Sequence, residues 1–190
     1  MVGLSLLLYP TFSDYWNSLR QTRAIVTYSE DVAALNEEEY EALLEAAREY
    51  NQELYENGTN WTLTDEELEE YNSLLAMSGS GIMGYISIPA ISVSLPIYHG
   101  TGAVALQKGV GHLEGSSLPV GGESTHCVIS GHRGLPSAKL FTDLDQLEEG
   151  DTFILYVLDE TLTYEVDQIR IVEPTEMSEL AIVEGEDYYS

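Results

Sequence analysis

The runs Gly84-Tyr85-Ile86-Ser87-Ile88 and Val93-Ser94-Leu95-Pro96-Ile97-Tyr98 decide the fold. Both are short and rich in β-branched and aromatic residues, with Pro and Ser between them, as strands separated by a turn are. Val128-Ile129 predicts a third strand. Phe153 to Val157 and Thr161 to Val172 predict a hairpin around Asp159-Glu160. Helical signal in this half is confined to short pieces near 102–108 and 137–146. Gly and Pro are frequent between the runs. The pattern predicts a mainly β domain of short strands, a barrel or a sandwich. No internal repeat is visible.

Upstream the period changes. Residues 11–56 read as helical. Within 36–56, Tyr40, Leu43, Leu44, Ala47 and Leu54 recur at helical spacing. Asn36 ahead of Glu37, Glu38 and Glu39 is an N-cap followed by first-turn acids, and Asn57-Gly58 is a stop. A second helix is predicted from Asp65 to Ala76, with Thr64 and Glu67 forming a capping box. Met77-Ser78-Gly79-Ser80-Gly81 is a joint between this helical arm (11–80) and the β domain (81–190).

The chain has 190 residues, with 33 Asp+Glu against 7 Lys+Arg, for a net charge of −26. Such a chain is repelled by phosphate backbones and by anionic membrane surfaces, which argues against nucleic-acid partners. A hydrophobic share of 44% supplies a core. The single cysteine, Cys127, excludes an intrachain disulfide and any multi-cysteine metal site. Residues 1–10 are apolar but shorter than the about 20 residues a spanning helix needs. They read as the remnant of a membrane anchor, with Tyr9, Tyr15 and Trp16 following as an interfacial belt. The alternative is a hydrophobic first segment packed on the domain.

Chemistry concentrates in Cys127-Val128-Ile129-Ser130-Gly131-His132-Arg133-Gly134. A histidine at a strand end between glycines is accessible, as a general acid or base requires. The alternative is a histidine that merely bonds within a turn. Cys127 is a poor partner for it. Five residues of extended strand span about 16 Å, and odd spacing sends the two side chains to opposite faces. Cys127 therefore reads as a small buried apolar residue. His99, His112 and His126 lack the spacing of a metal site, and no phosphate-binding glycine loop is present.

The ordered segments 81–91 (Gly-Ile-Met-Gly-Tyr-Ile-Ser-Ile-Pro-Ala-Ile), 95–101 (Leu-Pro-Ile-Tyr-His-Gly-Thr), 108–122 (Lys-Gly-Val-Gly-His-Leu-Glu-Gly-Ser-Ser-Leu-Pro-Val-Gly-Gly) and 130–145 (Ser-Gly-His-Arg-Gly-Leu-Pro-Ser-Ala-Lys-Leu-Phe-Thr-Asp-Leu-Asp) together resemble the sortase family, most closely its class C, pilin-polymerising members. Leu8-Tyr9-Pro10 and Tyr15-Trp16-Asn17 also resemble the segment after the class C membrane anchor. The resemblance implies an eight-stranded β-barrel with an N-terminal helical arm. It implies a cysteine transpeptidase without a cofactor, on the outer face of a Gram-positive cell membrane. That enzyme cleaves a Leu-Pro-x-Thr-Gly-like sorting signal on a pilin or surface protein and passes the acyl group to a lysine amine of another pilin.

The resemblance makes His132 the catalytic histidine. The family's nucleophilic cysteine lies in a Thr-Cys segment on the next-to-last strand, and its arginine on the last strand. Neither has a counterpart in this chain, because Arg133 and Arg170 precede those strands. The expectation is a barrel lacking its last two strands, and a chain inactive by itself. Class C members often carry an Asp-Pro-aromatic lid; here the corresponding region reads Thr59-Asn60-Trp61-Thr62. Trp61, with Asn60 beside it, is the lid candidate; the alternative is an ordinary loop tryptophan. Two functions compete: a sortase transpeptidase, and a non-catalytic, degenerate sortase-like binding module.

Overall fold

The computed structural model describes residues 2–77, 79–135, 138–173 and 175–190, with backbone only for 2–11. Of the remnant-anchor segment at 1–10, the backbone of residues 2–10 is described, as the start of the first helix.

Three helices lead. The first, α1 (Val2–Ala33), starts nine residues before the predicted residue 11, and the predicted 11–56 stretch is split between it and a second helix. Ala24, Tyr28 and Val32 recur every four residues and pack on the core. The Tyr28 hydroxyl donates to the Met83 carbonyl at 3.0 Å and accepts from the Leu158 amide at 2.6 Å. One side chain thus ties the helix to a strand at Met83 and to a turn at Leu158. The second helix, α2 (Glu37–Asn57), carries the predicted capping box, Asn36 with Glu39, and buries Leu44, Ala47, Asn51 and Leu54 at spacings of three and four. The third, α3 (Asp65–Ser73), has the Thr64–Glu67 box. It stops three residues earlier than predicted. Leu75 takes φ 52° and is buried, so the chain turns inward to place an apolar side chain instead of continuing the helix.

The strands are β1 (Ile82–Ile88), β2 (Val93–His99), β3 (Val110–His112), β4 (Thr125–Cys127), β5 (Ile129–Ser130), β6 (Thr152–Val157), β7 (Glu160–Glu165) and β8 (Asp187–Tyr189). Six form one curled sheet in the order β5-β3-β2-β1-β6-β7. Its pairs are antiparallel except β2–β3, which are parallel and joined by the short helix α4 (Ala103–Lys108). The other two, β4 and β8, form a separate parallel pair. The mainly β fold behind a helical arm is as expected. Among the described residues the large sheet ends at two open edges, β5 and β7.

Alternation sets the faces of that sheet. Ile86 and Ile88 of β1, with Phe153, Leu155 and Val157 of β6, point to the inner side. Tyr85, stacked on Tyr156 at 4.5 Å, points to the side where α1 packs.

Three sequence expectations differ in detail. The second hairpin strand ends at Glu165 and not at Val172; Ile169, Ile171 and Val172 are exposed, and β-prone residues without a pairing partner do not extend a ladder. Between 137 and 146 the described regular structure is one 3-10 turn, Leu144–Gln146. The third strand is broken at Val128. Its amide binds the Ser116 hydroxyl and its carbonyl accepts from Leu113, so both backbone groups leave the ladder.

Candidate active site

The strand carrying the candidate histidine is held from both sides. In β5, Ile129 and Ser130 pair with His112 and Gly111 of β3. Ahead of it, Ser116 and Ser117 act as a strand edge made partly of side chains. The Ser117 hydroxyl accepts from the His126 amide at 3.0 Å, and the Ser116 hydroxyl from the Val128 amide at 3.2 Å. These serines are fixed by the helical arm. Asn51 of α2 clasps the Leu118 backbone twice, at 2.6 and 3.1 Å.

Gly131 then passes through a gap that admits no side chain. A Cβ there would lie 2.5 Å from the Phe141 ring and 2.9 Å from Val110. His132 emerges just beyond, half-buried, its carbonyl accepting from the Phe141 amide at 3.2 Å. The next residue, Arg133, turns outward to Asp145 at 2.5 Å. Ser130, Gly131, Phe141, Tyr189 and Ser190 face a cavity of about 340 Å³, whose apolar wall includes Ile86 and Phe153. His132 follows the lining residues Ser130 and Gly131 directly in the chain but does not itself line the cavity; an apolar hollow at a strand end suits a bound peptide.

Cys127 sits elsewhere. It is 4% exposed on β4. Burial pushes its thiol well above the ordinary range, and the Tyr189 hydroxyl beside it offsets this only in part. Such a thiol is protonated and shielded, the opposite of an activated nucleophile.

The other histidines are satisfied internally. His112 is fully buried. Its Nδ1 faces the Tyr71 hydroxyl at 2.9 Å and its Nε2 the Ser117 carbonyl at 2.8 Å. The carbonyl accepts, so Nε2 carries the proton and Nδ1 accepts from Tyr71. Desolvation lowers the His112 pKa to about 4, partly offset by the Ser117 bond. The Tyr71 hydroxyl also accepts from the Gly100 amide at 3.1 Å. His99 binds the Leu74 carbonyl at 2.7 Å and the Gly81 carbonyl at 3.2 Å, closing the end of α3 onto the start of β1. His126 is buried between the Ala181 carbonyl at 3.0 Å and the Ser190 hydroxyl at 2.8 Å.

The lid candidates lie on the turn after β3. The Asn60 carbonyl is 2.1 Å from where a Cβ on Gly115 would stand, with the Trp61 backbone beside it. Trp61 is half-buried, Asn60 is exposed, and the Asn60 side chain accepts from the Thr62 amide at 3.1 Å. The Asn60 side chain is thus engaged by Thr62 of its own turn and by Glu67 of α3. Arg170 pairs with Glu179 at the surface. The sequence reading missed the Ser116–Ser117 edge, the Asn51 clasp and the Ser190–His126 contact. All three join residues nine or more positions apart, beyond the reach of a helix or cap period, so no local pattern marks them.

A sortase-domain family profile matches residues 86–188. Sortase C1 from Streptococcus agalactiae is 51% identical, with a TM-score of 0.85, the match covering 88% of this chain and 86% of that one. Sortase C from Clostridium perfringens, solved with the C-terminal cell wall sorting motif, is 43% identical with a TM-score of 0.77 and coverage of 88% and 86%. Sortase D from Bacillus subtilis is 38% identical over 95 residues, which is 50% of this chain and 45% of that protein. The chain thus matches somewhat under half the length of this curated relative. A matching profile over more than half of the sequence, with class C sortases as its structural neighbours, shows that the chain belongs to the sortase family.

Proposed function

We propose that this chain serves a sortase-type cysteine transpeptidase, with His132 as its catalytic histidine. The observation that carries the reading is the course of β8. It runs parallel to β4 with Thr125 against Asp187, His126 against Tyr188 and Cys127 against Tyr189. The Ser190 carbonyl then accepts from Ile129. The reading requires a nucleophilic thiol on a strand in that register beside Ser130 and His132, one strand spacing of about 4.8 Å away. It assigns the arginine to the strand after that one.

The chemistry follows from those positions. The thiol attacks the threonine carbonyl carbon of a Leu-Pro-x-Thr-Gly-like signal, and its proton passes to His132. The C–N bond to glycine breaks, the leaving amine takes the proton, and a thioester remains. A lysine amine of a second pilin attacks the thioester, loses a proton and forms an amide, and the thiol is regenerated. The Clostridium perfringens relative, solved with a sorting motif, supports this substrate class. In this reading the enzyme works on the outer face of a Gram-positive membrane. Tyr15 and Trp16, 63% and 59% exposed on α1, suit a membrane-facing end. No described helix is long and apolar enough to cross a membrane.

The second reading is a non-catalytic sortase-like binding module, in which Cys127, 4% exposed, is a packing residue and no acyl-enzyme forms. Mass spectrometry separates the two. The protein translated from its whole coding sequence is incubated with a Leu-Pro-x-Thr-Gly peptide. A thioester on a cysteine other than Cys127 supports the transpeptidase. Peptide binding without a thioester supports the module, and an adduct on Cys127 overturns the placement of the nucleophile.

A further inference from the structure

A second cavity, of about 420 Å³, lies on the helix-packed side of the sheet, opposite the hollow beside Ser130 and Gly131. The corner between α1 and α2 forms one wall, and the β6–β7 turn the other. Aromatic surface lines it: Tyr85 stacks on Tyr156 at 4.5 Å, and Tyr28 meets Tyr85 edge-on at 6.4 Å. Tyr40 donates to the Glu160 carboxylate at 3.0 Å. Val32 and Leu35 add an aliphatic surface. The rim carries Glu37, Asp159 and Glu160, and no lysine or arginine lines the cavity. None of these three carboxylates enters an ion pair among the described residues. Arg48, two turns along α2, is a cation within electrostatic reach of Tyr40.

We propose that this cavity binds a primary alkylammonium group, such as a lysine side chain. Ring faces attract a cation through their quadrupole, the aliphatic surface takes the methylene stem, and a carboxylate already oriented by Tyr40 faces the charge. Neutral ligands lack the charge that these carboxylates attract, and anionic ligands are repelled by it. The site lies on the other side of the sheet from His132 and is independent of the transpeptidase reading.

The test is NMR titration of the chain labelled in its tyrosine rings, with butylammonium, with 1-butanol as neutral isostere, and with the peptide Gly-Lys-Gly. Saturable shifts at Tyr40, Tyr85 and Tyr156 with butylammonium, absent with 1-butanol, are expected. Glu160→Gln keeps an acceptor for Tyr40 while removing the charge, and is expected to weaken binding about tenfold. A response to Gly-Lys-Gly as well identifies a peptide-borne lysine as ligand; a response to butylammonium alone identifies a small amine. No saturable response to either, an equal response to 1-butanol, or undiminished binding by Glu160→Gln overturns the proposal.

Discussion

The amide of Ile129 donates to the carbonyl of Ser190 at 2.7 Å. That bond joins the strand feeding His132 to one arriving from the far end of the sequence. It is reinforced on either side. The Ser190 amide donates to the Cys127 carbonyl at 2.9 Å, and the Ser190 hydroxyl to His126 Nε2 at 2.8 Å. Asp187 fixes the start of β8, accepting from the Gly122 amide and the Tyr164 hydroxyl, each at 2.9 Å. The position of the chain beside Cys127 and Ile129 is therefore set by polar contacts at both ends of a three-residue strand.

Tyr71→Phe is expected to destabilise the fold by about 2–3 kcal/mol. The hydroxyl is fully buried and serves the Gly100 amide and His112 Nδ1 together, so its removal leaves two groups without partners. Urea unfolding followed by circular dichroism checks this. A change below about 0.5 kcal/mol would show that the network carries no net stability.

Stability should fall on acidification through the His112 window. The folded pKa is about 4 against an ordinary 6.5, so between these values the unfolded chain binds more protons. The stabilisation is complete above pH 6.5, declines as pH falls, and is exhausted near pH 4. Its full size is on the order of 3 kcal/mol. Denaturation midpoints across that range, compared with those of His112→Gln, measure it. Equal pH slopes in the two proteins would contradict the assignment.

Cys127 should resist iodoacetamide in the native protein and react readily in urea. Burial holds the thiol protonated, and alkylation needs the thiolate. Mass spectrometry of a native time course checks this. Alkylation as fast as that of the unfolded chain would show an open, ionisable thiol.

What the sequence made legible was local. The Asn36–Glu39 and Thr64–Glu67 boxes, the seam on α2 and the first two strands were readable because caps and periodicity act within a few residues. The turn at Leu75, the break at Val128 and the β4–β8 pairing were not. Each depends on partners brought from elsewhere: a core pocket, the Ser116 hydroxyl, and a strand about sixty residues away. The Ser130–Gly134 motif pointed to His132. That Gly131 must be glycine emerged only with Phe141 and Val110 in place. The run from Ile169 to Val172 read as a strand because composition does not record whether a partner exists.

The central claim is that His132 moves the proton in acyl transfer. The decisive measurement is the rate of thioester formation on a Leu-Pro-x-Thr-Gly peptide by the protein translated from its whole coding sequence, compared for His132→Ala and His126→Ala. The account predicts a loss of about 10²–10⁴-fold for His132→Ala with the circular dichroism spectrum unchanged. For His126→Ala, whose ring serves Ala181 and Ser190, it predicts a destabilised protein that keeps acylation while folded. Undiminished acylation by His132→Ala, with acylation abolished in folded His126→Ala, would contradict it.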